Sequence, residues 1–235
     1  MADLRSRNRR ELPTGEQKVR AVTSMFDAIA PRYDLVNRVM TFGMDQGWRR
    51  LTVERLQLPA GSLVYDVACG TGDLCKALRR AQMRPVGFDM SSGMLEAART
   101  TAPLVLADAL ELPVRDGAGD GITCGFALRN VADLNKLFVE FARVLRPGGR
   151  IGLLEVAEPK AAVLKMGHHV YFHKVVPVIG GLISDRDAYS YLPRSTAYLP
   201  APEVLLRMLD EVGFADLERK VLGLGAAQLI TGTRS

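Results

Sequence analysis

The sequence predicts an α/β protein built on a doubly wound, mostly parallel, seven-stranded sheet. Three observations predict it. From residue 62 onward, apolar runs of strand length alternate with segments of helical periodicity. The run Leu63-Val64-Tyr65-Asp66-Val67 passes through Ala68-Cys69-Gly70-Thr71-Gly72 into a helical pattern at Asp73-Leu74, which reads as strand, tight turn and helix. Acidic residues recur where strands end, at Asp66, Asp89 and Asp108, 23 and 19 residues apart, about one βα unit each. In a parallel sheet these residues share one edge, and doubly wound sheets bind ligands outside the carboxyl ends of their strands.

The elements follow in order. Residues 1–15 are polar, with Arg5, Arg7, Arg9 and Arg10 ahead of Pro13 and Gly15. They read as a flexible basic tail, or as a loose tether to an anionic lipid surface. Residues 16–235 read as one domain, and 16–57 as its N-terminal helices. Val19, Val22, Met25, Phe26 and Ile29 share one helical face, Pro31 can begin a second helix, and a third runs from Gln46 to Leu56. Strands are then expected at 62–68, 84–89, 103–107, 119–125 and 150–157. Helices are expected at 72–82, 92–100 and 133–145, with Pro147-Gly148-Gly149 as a turn. Residues 160–182 are apolar but broken by Lys165, His168, His169, His173, Lys174 and Pro177, and read as part of an inserted helical cap extending to 195. A helix at 200–213 and strands at 214–222 and 226–233 finish the sheet.

Composition narrows the function classes. A net charge of +5 permits an anionic membrane surface, an acidic ligand or nucleic acid, and requires none of them. Cys69, Cys75 and Cys124 make an odd set without a C-x-x-C pair, against a disulfide framework or a zinc site and for a reducing cytoplasm. The opening residues lack the apolar core of a secretory signal, and no apolar run reaches the roughly 20 residues that span a bilayer. His169 and His173 stand four apart, yet no H-E-x-x-H pattern accompanies them, so no metal is expected.

The glycine turn admits a ligand close to the backbone, and the helix behind it offers unpaired N–H groups. A dinucleotide fingerprint would place a third glycine where Cys75 stands, which disfavours NAD. Asp89 can take both ribose hydroxyls, Asp108 an adenine amino group and Asp66 an ammonium. The plainer alternative for Asp89, before Ser91-Ser92, is a structural capping role, which the register of the three acids with the glycine turn outweighs. The pattern of an apolar run, Asp66, Gly70 and Gly72 is similar to the first motif of the S-adenosyl-L-methionine (SAM) methyltransferases.

Longer blocks make the resemblance specific. They include Met25-Phe26-Asp27-Ala28-Ile29-Ala30-Pro31-Arg32-Tyr33-Asp34, Asn37-Arg38-Val39-Met40-Thr41-Phe42-Gly43 and Trp48-Arg49-Arg50. Further on come Gly87-Phe88-Asp89-Met90-Ser91, Gly125-Phe126-Ala127-Leu128-Arg129-Asn130-Val131, Arg143-Val144-Leu145-Arg146-Pro147-Gly148-Gly149 and Tyr189-Ser190-Tyr191-Leu192-Pro193-Arg194-Ser195. Across residues 19–213 the chain resembles the ubiquinone/menaquinone-biosynthesis C-methyltransferase family, with its Rossmann-like class I fold. The resemblance implies SAM as cofactor, held by Gly70, Thr71, Gly72, Asp89, Asp108 and Ala109, with Asp66, Met90 and Gly125 beside them. It implies methylation of a prenylated quinol, foremost demethylmenaquinol, with Arg129, Asn130, Tyr33 and Asp34 as catalytic residues. A base, or a water held by these four, would take the proton of a ring hydroxyl, and Arg129 would stabilise the phenolate. Arg129 as a surface residue and Asp34 as a first-turn acid are the plainer readings. A cytoplasmic enzyme follows, transiently peripheral at the inner face of the cytoplasmic membrane and compatible with a homodimer. Two other readings stay open: a related methyltransferase acting on a soluble phenolic acceptor, and a nucleic-acid-binding methyltransferase. The second lacks an N-P-P-Y-like motif after the fourth strand, so no nucleic acid is expected as partner.

Overall fold

A computed structural model describes residues 14–157, 191 and 194–235. All but the last two residues of the expected basic tail, all but the last residues of the expected cap, and the cap's three histidines lie outside the described residues.

Three helical segments come first: α1 (Gly15–Ile29), α2 (Tyr33–Met40) and α3 (Met44–Leu56). Pro31 sits in a short 3-10 turn, Ala30–Arg32, so the second helix starts two residues later than proline alone suggested. Then β1 (Leu63–Val67), α4 (Asp73–Arg80), β2 (Arg84–Asp89), α5 (Ser92–Glu96), β3 (Leu104–Leu106) and β4 (Gly119–Gly125) follow. After them come α6 (Leu134–Val144), β5 (Leu145–Val156), α7 (Pro202–Glu211), β6 (Phe214–Leu222) and β7 (Ala227–Arg234). The seven strands lie in the order β3-β2-β1-β4-β5-β7-β6. The first five are parallel, and β7 runs antiparallel between β5 and β6. The order reverses at β1 and β4, the switch point of a doubly wound sheet.

Both faces of the sheet are covered. On one, Leu137, Phe138, Phe141 and Val144 of α6 join Leu205 and Leu209 of α7 over Val67, Phe88, Ile122 and Ile151. On the other, Val53 and Leu56 of α3 meet Leu74, Ala77 and Leu78 of α4 over Val64. Their spacing of three and four residues is what turns each apolar stripe inward. The helices α1, α2 and α5 share a smaller cluster of Ile29, Ala30, Val36 and Met94, apart from the main core.

Two elements differ from the sequence reading. The helix expected at 92–100 stops at Glu96, and the Arg99 N–H bonds the Thr71 carbonyl at 3.2 Å instead of prolonging the helix. The fifth strand begins at Leu145, not residue 150: Leu145 pairs with Gly119, Arg150 with Gly121, and Pro147-Gly148-Gly149 lies between as an irregularity in the register.

Phe138 is fully buried, whereas its neighbour Val139 is 55% exposed. Phe138→Ala is expected to lower the unfolding free energy by about 3–5 kcal/mol in urea titrations, and Val139→Ala to change it by less than about 0.5 kcal/mol.

Candidate active site

A pocket lies at the carboxyl edge of the parallel strands, with about 880 Å3 of empty space including its open mouth. Its floor comes from strand ends and the loops after them: Ala68, Gly70, Asp89, Met90, Asp108, Ala109, Gly125 and Asn130. Its roof comes from α1 and α2, through Val19, Val22, Thr23, Phe26 and Tyr33.

The turn after β1 is held open by a buried carboxylate. Asp66 is fully buried; it accepts the Thr123 hydroxyl at 2.8 Å, the Cys75 N–H at 3.1 Å and the Cys75 thiol at 3.2 Å. It thereby ties β4 and the first turn of α4 to β1. The ammonium expected to meet Asp66, directly or through water, would be reached from beneath the turn: the carboxylate is fully buried on these donors and does not line the pocket. Burial raises its pKa to about 6, against the pull of those donors. Gly70 has φ +53 and nothing within 4 Å of where a Cβ would stand, so its backbone borders open space. Gly72 has φ +82, and a Cβ there would lie 2.7 Å from the Thr100 methyl. The two glycines thus serve different ends, ligand approach and packing.

Asp89 is fixed by two N–H donors, Gly70 at 2.7 Å to one oxygen and Ser91 at 2.9 Å to the other. Each oxygen keeps acceptor capacity for a pair of hydroxyls. Burial raises its pKa above the usual carboxylate value. Asp108 accepts the Leu110 N–H at 2.9 Å and faces the same pocket from the end of β3. Gly125 has its own packing reason, since a Cβ there would meet Leu74 Cδ1 at 2.8 Å.

The roof is bolted down by side chains. Asp27 of α1 accepts the Ser91 hydroxyl at 2.6 Å and the Gly93 N–H at 3.0 Å. Asp34 of α2 accepts the Thr71 hydroxyl at 2.5 Å, so these two residues latch roof to turn and neither lines the pocket. Lys18 reaches across to the Val131 carbonyl at 2.8 Å and lies over the Tyr198 ring at 3.9 Å, and burial lowers its pKa to about 8.

Arg129 is neither a surface residue nor a pocket wall. Its guanidinium is paired with Glu155 and bonds the Phe126 carbonyl at 2.9 Å and Ser195 Oγ at 3.1 Å, and its own N–H bonds Glu155 at 3.2 Å. With its charge balanced by a buried acid and its side chain outside the pocket, it is not placed to stabilise a phenolate directly. Asn130 does face the pocket, with the Tyr191 hydroxyl 3.5 Å from its Oδ1. Tyr33 also lines it, its hydroxyl pKa raised by burial. Lys18 and Glu155 belong to no motif, and Arg49 stands in the Trp48-Arg49-Arg50 block without a role assigned to it. Glu155 left a trace, as a single acid inside the apolar run Ile151–Val156. Among the described residues no group of three or more His, Cys, Asp or Glu is placed to hold a metal.

The ubiE/COQ5 methyltransferase family matches residues 13–234. The chain belongs to that family. It is 41% identical to a demethylmenaquinone methyltransferase of Roseiflexus castenholzii, over 97% of this chain and 99% of that one. It is 42% identical to a demethylmenaquinone methyltransferase of Thermus thermophilus, over 89% and 100%. Among solved structures, a SAM-dependent methyltransferase of Thermotoga maritima superposes with a TM-score of 0.65 at 17% identity, over 90% of this chain and 99% of that one. That likeness shows the shared fold.

Asp66 gives the methyltransferase a pH signature. Its folded pKa of about 6 lies above the usual carboxylate value of about 3.9. The folded state therefore keeps a proton that the unfolded state releases between those values. The stability this contributes is complete below about pH 4 and is lost as the pH rises through 6, about 3 kcal/mol in all. Relative to Asp66→Asn, the wild type should lose up to that amount of unfolding free energy between pH 4 and 7; a difference that stays flat would contradict the assignment.

Proposed function

We propose that the protein transfers the methyl group of SAM to a ring carbon of a prenylated quinol, converting demethylmenaquinol to menaquinol. The observation that carries this reading is the pocket's division. Its β2–β3 end presents the carboxylates Asp89 and Asp108, while Val19, Val22, Phe26 and Met94 make an apolar wall, with Tyr33 and Asn130 among the lining residues. A polar nucleoside fits the first part and a ring with an apolar tail the second. The names carried by the relatives point to the same acceptor.

The donor residues suit SAM. Asp89 takes the ribose hydroxyls with the lone pairs left by Gly70 and Ser91. Asp108 and Ala109 take the adenine edge, Met90 packs beside it, and the open side of Gly70 receives the chain that follows the ribose. Bound there, SAM brings a methyl group already activated by its sulfonium, so the protein must chiefly align the acceptor carbon and exclude water. The roof of α1 and α2 does the excluding.

The acceptor needs one ring hydroxyl to lose its proton. Tyr33, its pKa raised, stays protonated near neutral pH and acts as a hydrogen-bond donor. Asn130 orients the hydroxyl or a water that accepts its proton. Arg129 is a positioning residue: with Glu155 it fixes the 3-10 turn Leu128–Asn130 that presents Asn130. Such an acceptor brings the protein to a membrane surface. Among the described residues no helix is long and apolar enough to cross a membrane, but α2 exposes Leu35 and Val39, 55% and 39%, beside Arg38. That face and the basic tail suit transient contact at the inner leaflet.

Mass spectrometry of extracted quinones tests the reading. A deletion strain should accumulate the demethyl quinone, and the wild-type chain should restore the methylated form. An unchanged pool would remove the quinol acceptor and favour a soluble phenol. Within the site, Asn130→Ala should lower kcat about 100-fold while the SAM dissociation constant stays within about twofold. Asp89→Ala should weaken SAM binding in calorimetry by at least about 100-fold.

A further inference from the structure

Arg49, on α3, is 7% exposed. Its nearest acids are Asp45 at 3.5 Å and Asp73 at 3.9 Å from Nε, and neither contact is a hydrogen bond. Both acids are served by other donors. Asp45 takes the Thr41 hydroxyl at 2.9 Å and the Gln46 amide at 3.0 Å; Asp73 takes Lys76 Nζ at 2.7 Å and the Gln46 amide at 3.2 Å. Nε of Arg49 is buried without a hydrogen-bond partner among the described residues. Its charge is offset by these two acids, and its guanidinium fork keeps donor capacity for one further acceptor.

Its position says what that is. Nη1 lies 3.5 Å from where a Cβ on Gly125 would stand, and the guanidinium carbon is 5.5 Å from the centre of the Phe126 ring; both residues line the pocket. Asp108 follows β3 by two residues and Asp89 ends β2, so the nucleoside lies at that end of the strand order. The amino-acid end of the donor must then run past Gly70 toward β1 and β4. Arg49 stands there, between Asp73 behind the β1 turn and Gly125 at the end of β4.

We infer that Arg49 is the carboxylate-binding residue of the donor site, its guanidinium taking the methionyl carboxylate of SAM. This rests on the reading of the pocket as a SAM site. The pairing is charge-assisted and suited to a planar fork. It gives α3 a part in the site from a position some twenty residues before the glycine turn. It predicts that the site separates SAM from a ligand carrying the same nucleoside and sulfonium without the acid.

Calorimetry with SAM and decarboxylated SAM, on wild type, Arg49→Gln and Arg49→Lys, tests it. Arg49→Gln should weaken SAM about 10- to 100-fold and decarboxylated SAM less than about threefold, and wild type should prefer SAM over the decarboxylated compound by the same factor that Arg49→Gln loses. Arg49→Lys should fall between, and it carries the test if Arg49→Gln does not fold by thermal unfolding. Equal losses for the two ligands, or no loss for SAM, would overturn the assignment. A wild type that binds neither ligand would instead remove the SAM reading itself.

Discussion

The buried carboxylate of Asp66 is the constraint on which the site rests. It sits one residue before the end of β1 and collects donors from two other elements, Thr123 of β4 and Cys75 of α4. A carboxyl group taken fully out of water is tolerated only with its oxygens satisfied. Satisfying them draws β4 against β1 and turns the start of α4 back over the strand. The chain between has five residues, Ala68 to Gly72, in which to make that reversal. Ala68 with φ +54, Gly70 and Gly72 absorb it in the left-handed region. Ala68 is an unusual residue there, and a cost of about 1 kcal/mol or more at a binding edge is the pattern of strain held by surrounding structure.

The same edge needs a cover, because a parallel sheet leaves its carboxyl ends open to water. The helices α1 and α2 supply it with little apolar contact to the main core. Their own cluster is small, so their placement leans on polar latches: Asp27 to Ser91 and Gly93, Asp34 to Thr71, and Lys18 to Val131. Each latch engages a different loop of the sheet edge, after β2, after β1 and after β4. Polar latches can be broken and remade at lower cost than a packed core, which suits a roof over a binding pocket.

How much of this was legible in the sequence depended on whether local chemistry or tertiary contact set the feature. β2 and β4 were legible to the residue, because β-type runs ended at a turn signal on both sides. Asp89, Met90, Asp108, Ala109, Gly70 and Gly125 were brought together in the pocket because strand spacing alone put them on one edge. The orientation of Asp66 was not legible, since spacing places a residue on a strand but does not say which donors its side chain will meet. The length of α5 was set by the Thr71 carbonyl claiming the Arg99 N–H, a contact 28 residues distant in the chain. Arg49 belongs to a helix before the sheet begins, and only packing of α3 beside α4 brings it next to Gly125 and Phe126.

The pair Arg129–Glu155 shows why a residue can belong to a site without touching its ligands. A buried ion pair contributes little net stability against an apolar replacement, yet losing one partner is strongly destabilising. Its value therefore lies in geometry. Glu155 accepts both the Arg129 side chain and the Arg129 backbone N–H, while the guanidinium holds the Phe126 carbonyl and Ser195. Five neighbouring residues, Phe126 to Asn130, are thus anchored to β5 from two sides. The pair thus fixes the turn that carries Asn130 while Arg129 itself stays out of the pocket.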